Sequence, residues 1–166
     1  SARHRPVIDP ATAVVFDINV YLDYILGDDG SWPLLPDVPP TTGNAAADAI
    51  SLAFGSRFRL FTSPHVLTNI ARVMRKVGQR EDTVLAFVES IVEMCEFSGG
   101  AVIEPVDRDH GVDDYEDNLI ISLATDPAVD ALIIVTSDSD LLEIGPTWHG
   151  RLIMRSGQFV KNAVAR

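Results

Sequence analysis

The apolar positions of this chain change period repeatedly from one end to the other. Ala13-Val-Val-Phe16 is a short apolar run that stops at Asp17. A run of that length with no polar alternation predicts a strand buried on both faces. Helical spacing follows from about Val20 to Leu26 and breaks at Gly27. Asn44 to Phe54 is alanine-rich and closed by Gly55, which predicts a second helix. Phe58 to Thr62 predicts a second strand. Ser63-Pro64 then supplies an N-cap and a proline at the first helical position. That helix runs to about Val77 and stops at Gly78. Glu81 to Phe97 carries apolar residues at Val84, Leu85, Val88, Ile91, Val92 and Cys95, a helical repeat ended by Gly99-Gly100.

Ala101 to Ile103 predicts a third strand, and Tyr115 to Ala124 a helix. Ala131 to Thr136, ALIIVT, is the clearest strand of all, apolar on both faces as a central parallel strand should be. Ser139 to Ile144 predicts a short helix, Leu152 to Met154 an edge strand, and Ser156 onward a terminal helix. Strand and helix thus alternate, the pattern of an α/β fold with a central parallel sheet and helices on both faces. Its size suits one domain over residues 1–166. Residues 27–43, GDDGSWPLLPDVPPTTG, predict a long loop, suited to a lid or a partner-binding segment. Trp32 within it is expected to pack on the surface or to act as an anchor.

In open α/β sheets the working groups collect beyond the carboxyl ends of the strands. There the first strand delivers Asp17, with Asn19 two residues on, and ALIIVT delivers Ser137, Asp138 and Asp140. Between them, Asp113-Asp114-Tyr-Glu116-Asp117-Asn118 opens a helix, with Asp114 and Asp117 three apart. Asp113 and Glu116 are read as ordinary companions of a helix dipole. Asp17 is different, because a carboxylate directly after a buried strand needs a partner. Crowded carboxylates are costly unless a cation joins them, and oxygen ligands suit Mg2+ or Mn2+. Such an ion activates a water for attack on phosphorus.

Composition adjusts this picture. The chain is 46% apolar and 22% charged, which argues against global disorder. One cysteine, Cys95, excludes an internal disulfide framework and a Cys-based zinc site, and its helical context predicts burial. Cysteine usage fits a reducing, cytoplasmic setting. SARHRPVIDP has no apolar stretch of the signal-peptide kind, and no run is long enough to span a membrane. The net charge of −11 opposes broad affinity for nucleic acid. The charges are segregated, however. Arg57 to Arg80 holds six basic residues and no acid, and Glu81 to Glu143 holds seventeen acids and one base. Such a chain can set basic walls around an acidic pocket, although solvated helix faces can differ in charge without any role. His65 and His110 stand apart from other ligand types and read as surface or capping residues.

Four segments, in order, resemble the PIN-domain ribonucleases. VVFDINVYLDYIL is similar to the family's opening strand into Asp-x-Asn, and TSPHVLTNIARVM to its second-helix segment. DYEDNLIISLA is similar to its central acidic helix, and LIIVTSDSDLLEI to its Thr-x-Asp strand end. The resemblance spans about residues 13–145 and includes the VapC-type toxins of bacterial toxin–antitoxin pairs. It implies a three-layer α/β/α PIN-like sandwich and Mg2+- or Mn2+-dependent RNA cleavage, with RNA as substrate. It also implies a cognate antitoxin protein and a homodimer as partners. Carried over, Asp17, Asp117 and Asp138 are metal ligands and catalytic acids. Asp114 stands beside Asp117 as a further catalytic acid, and Asp140 helps hold the metal. Asn19 and Ser137 orient ligands or water, with helix capping a second role for Asn19.

One position departs from the pattern. Asn69 stands where the family usually has Glu, which brings an amide oxygen but no charge. Arg72 and Lys76 follow on the same helix face, where substrate phosphates could lie. An exposed cationic face, or a dock for an acidic peptide, explains them equally well. Two other readings stand beside the nuclease. One is a degenerate, non-catalytic PIN domain that binds RNA or protein. The other is a haloacid-dehalogenase-like phosphohydrolase, disfavoured because Asn19 cannot transfer a proton.

Overall fold

The computed structural model describes residues 7–27, 43–106 and 114–164. Most of the loop expected over residues 27–43, with Trp32, lies outside these, as do His110 and Asp113. Strand β1 (Ala13–Phe16) is buried at every position and leads into α1 (Ile18–Leu26). Helix α2 (Ala45–Phe54) precedes β2 (Arg59–Thr62), and α3 (Pro64–Lys76) and α4 (Glu81–Phe97) precede the short β3 (Ala101–Val102). Helix α5 (Tyr115–Thr125) leads to β4 (Ile133–Val135) and α6 (Ser139–Ile144). A hairpin of β5 (Thr147–Trp148) and β6 (Arg151–Met154) then feeds α7 (Ser156–Val164).

The six strands lie in the order β3-β2-β1-β4-β6-β5. All neighbours run parallel except β5 against β6. The two central strands, β1 and β4, are fully buried, because parallel strands covered by helices on both faces have no wet side. This is the expected PIN-like α/β/α sandwich.

Phe16, Phe58 and Phe159 pack ring against ring between the sheet and α7. Gly100 is required where α4 returns to the sheet, since a Cβ there would collide with the Leu60 carbonyl.

One expectation is corrected. The Leu152 strand is not at the sheet edge, because Thr147–Trp148 pairs outside it. The link is a two-residue turn, His149-Gly150, with both residues at positive φ (48° and 79°). That geometry matches strand twist in a tight hairpin. Two residues of strand carry no periodicity, so the pattern of apolar positions could not announce β5.

Candidate active site

The register of the sheet builds the site. Phe16 pairs with Val135, so the residues that follow them, Asp17 and Thr136, leave the sheet side by side. The Asp17 amide donates to the Val135 carbonyl at 2.9 Å. The Thr136 hydroxyl donates to Asp17 Oδ2 at 2.7 Å and accepts from the Asp138 amide at 3.0 Å. Asp17 also caps α1, its Oδ1 accepting from the Ile18 amide at 2.7 Å. Asn19 therefore is not the cap of that helix; it stands half-buried in its first turn. Burial raises the Asp17 carboxyl above its ordinary range. Thr136 and Ile18 oppose that shift, and the charges of Asp138 and Glu116 add to it.

Asp117 lies in the first turn of α5 and is 2% exposed. Its amide is capped by Asp114 Oδ1 at 3.1 Å, so Asp114 acts as the helix N-cap. The Asp117 Oδ2 is buried and, among the described residues, has no hydrogen-bond partner. Its polar neighbour is the Asp138 carboxylate, and two carboxylates can share a hydrogen bond only if one is protonated. Burial first, then Asp138, Asp114 and Asp17, push the Asp117 carboxyl up to about 8.

Asp138 caps α6 and accepts from the Asp140 amide at 2.8 Å. Carboxylate oxygens of Asp117, Asp138 and Asp140 lie within 4.8 Å of one another, a group that could hold a metal ion. The fit is chemical as well as geometric. All three donors are carboxylate oxygens, as hard divalent cations prefer, and the partnerless Asp117 oxygen needs a positive group. Asp17 is not in this trio; both its oxygens accept from protein donors, and its charge is felt at Asp117.

On the flank, Asn69 is buried on α3 and Arg72 donates to its Oδ1 at 3.4 Å. Lys76 is exposed one turn further on, and Arg75 is paired with Glu81 at 2.6 Å. His65 is not isolated: its Nε2 lies 2.6 Å from Glu116 Oε2. Ser137 is exposed and lines an open groove of about 550 Å³, together with Leu22, Asp23, Asn44 and Arg155. Reading by motif passed over Thr136, the clamp on Asp17, although Thr-x-Asp was visible. It also passed over Arg155 and the contacts of Glu116. Cys95 is buried as expected, and burial pushes its thiol up to about 12.

The fold and this acidic strand end together mark a PIN-type nuclease scaffold. The family model described as PIN domain matches residues 13–140, and the chain belongs to that family. PIN domains are generally nucleases, hydrolases that typically use divalent metals. Searches of curated proteins and of solved structures return no match. Among the described residues, no helix is long and apolar enough to cross a membrane.

Proposed function

We propose that this chain is a Mg2+- or Mn2+-dependent endoribonuclease of PIN type, the toxin of a toxin–antitoxin pair. The observation that carries the metal-dependent reading is the buried Oδ2 of Asp117, without a hydrogen-bond partner among the described residues, on a carboxyl that neighbours Asp138. A buried carboxylate oxygen without a donor is costly, and a cation removes the cost. Asp117, Asp138 and Asp140 would hold the ion, with Asp17 alongside, fixed by Thr136. When bound, the ion supplies charge neutralisation at phosphorus and a more acidic water.

The chain's own residues do the rest. Thr136 and Ile18 keep Asp17 in one orientation, and the Asp138 cap fixes the start of α6. Arg72, at the rim, offers a cation to a substrate phosphate. Hydrolysis adds water to phosphorus, breaks a P–O ester bond and leaves the proton on the departing oxygen. RNA as substrate and an antitoxin partner follow from the likeness to VapC-type toxins.

The test is cleavage of a labelled RNA with Mn2+, comparing the native chain with Asp17→Ala. Cutting that depends on Mn2+ and disappears in the variant is the expected result. Cutting unaffected by Asp17→Ala rejects the site. The non-catalytic alternative draws on one observation, the uncharged Asn69 buried on α3. It predicts RNA binding with no Mn2+-dependent cleavage.

A further inference from the structure

The register that joins Asp17 to Thr136 continues one strand further. Val135 pairs with Met154, and the Thr136 amide donates to the Met154 carbonyl at 2.9 Å. Asp17, Thr136 and Arg155 therefore leave three adjacent parallel strands side by side. Arg155 is exposed, and among the described residues its side chain meets no carboxylate. It lines the groove of about 550 Å³ together with Ser137, the residue between Thr136 and Asp138. The groove thus begins at the acidic strand ends. Its walls differ in chemistry. Arg155 and Ser137 come from the strand ends, and α7 starts beside them at Ser156, adding the positive end of its dipole. Leu22 and Leu26 come from one face of α1, with Asp23 next to them. An occupant that matches both walls is anionic at one end, and at the other flat, weakly polar and N–H-bearing.

We propose that this groove holds the nucleotide next to the scissile phosphate, with Arg155 on its phosphate and the Leu22–Leu26 wall against its base. This rests on the ribonuclease reading given above. Asp23 accepts N–H groups of the base edge. The groove has the size of a small-ligand site, roughly 300–1,000 Å³. The placement of cations agrees. Helix α3, which carries Arg72, leaves β2 on the other side of β1, so the acidic centre lies between Arg72 and Arg155. In a chain of net charge −11, cations on both sides draw a polyanion across carboxylates that would repel it.

Fluorescence anisotropy of a labelled single-stranded RNA, on the full chain without divalent metal, tests the subsite, with circular dichroism to confirm folding. Arg155→Ala should weaken binding by about tenfold, the scale of one hydrogen bond to a charged group. It should also reduce the slope of log affinity against log salt by about 0.7. Arg155→Lys should keep the slope and lose part of the affinity, because an ammonium lacks the guanidinium fork. Arg57→Ala is the control, an exposed arginine ahead of β2 at the amino ends of the strands, and should leave affinity nearly unchanged. Guanosine 5′-monophosphate should displace the RNA better than ribose 5-phosphate, which has no base for the α1 wall. No loss in Arg155→Ala, or an equal loss in Arg57→Ala, overturns the subsite. Equal displacement by the two phosphates overturns the nucleotide as its occupant. The nuclease reading is judged separately, by Mn2+-dependent cutting and its loss in Asp17→Ala. If Arg155→Ala binds and cuts RNA as the native chain does, that reading stands and the subsite falls; a native chain that neither binds nor cuts RNA removes both.

Discussion

The Thr136 hydroxyl donates to the Asp17 carboxylate at 2.7 Å, joining the ends of two adjacent parallel strands in a buried contact. The same hydroxyl accepts from the Asp138 amide, so one side chain sets both the Asp17 carboxylate and the entry to α6. Replacing it with valine keeps the volume but removes donor and acceptor together. Thr136→Val should therefore cost about 1–3 kcal/mol, the penalty for leaving buried polar groups unpaired. Thr136→Ser keeps the hydroxyl and should cost less. Urea unfolding of the three proteins measures this, and equal midpoints for Val and Thr would show that Asp17 does not depend on the clamp.

Asp117 sets a pH dependence whose sign can be worked out. Its carboxyl stands at about 8 in the fold against an ordinary value of 3.8, chiefly through burial. Between those values the folded chain holds a proton that the unfolded chain releases. The stability this proton contributes is complete on the acid side and is lost as pH rises through about 8. Metal-free melting temperatures should fall from about pH 5 to about pH 9, and Asp117→Asn should flatten the decline. Asp17, also raised by burial, adds a contribution of the same sign. A bound cation must displace the Asp117 proton, so Mn2+ affinity should rise with pH over the upper part of this range. Calorimetry in buffers of different ionisation enthalpy should register proton release. Melting that is flat in the native chain would mean that Asp117 is already ionised.

Arg72 and Arg75 are neighbours in sequence with different freedom. Arg75 is occupied by Glu81 through two hydrogen bonds, whereas Arg72 makes, among the described residues, one long contact to Asn69 at the rim of the site. A cation already neutralised by a carboxylate releases few counterions when RNA binds. Arg72→Ala should therefore reduce the slope of log affinity against log salt by about 0.7, the share of one phosphate contact on a single strand. Arg75→Ala should leave that slope almost unchanged. Fluorescence anisotropy with a short RNA, without divalent metal, at several salt concentrations separates the two. A larger change for Arg75 than for Arg72 would move the RNA path off the α3 face.

Much of this fold was legible because the signals were local. Ala13 to Phe16 is an uninterrupted apolar run, and Ser63-Pro64 fixes a helix start by chemistry that acts within one turn. Helices α4 and α6 begin and end where spacing and glycine placed them. The β5–β6 hairpin was missed because two residues of strand have no period. The parts of the site that escaped notice are non-local. Glu116 and His65 are 51 residues apart and meet only because α3 and α5 flank the same strand ends. Asp17 and Thr136, 119 residues apart, meet through strand register. Sequence could name the carboxylates, but which oxygen is spent on a cap and which is left without a partner depends on packing.

That distinction separates the two aspartates of α6. Asp138 is half-buried, caps the helix and faces Asp117, while Asp140 is exposed and approaches the cluster from the first turn. Asp138→Asn removes charge where solvent screens it least, next to the partnerless Asp117 oxygen. An asparagine still caps a helix, so folding should survive. Asp140→Asn removes charge where water already competes with the cation, and a Mg2+-like ion keeps some of its waters in any case. Mn2+ affinity should therefore fall by roughly a hundredfold for Asp138→Asn and by roughly tenfold or less for Asp140→Asn. Asp138→Asn should also lower the Asp117 carboxyl, because the neighbouring charge that raises it has gone. Calorimetric titration gives the affinities, and metal-free pH melts follow the Asp117 shift. Were Asp140→Asn the more damaging of the two, the ion would sit toward solvent on the α6 side, and the buried Asp117 oxygen would not be what holds it.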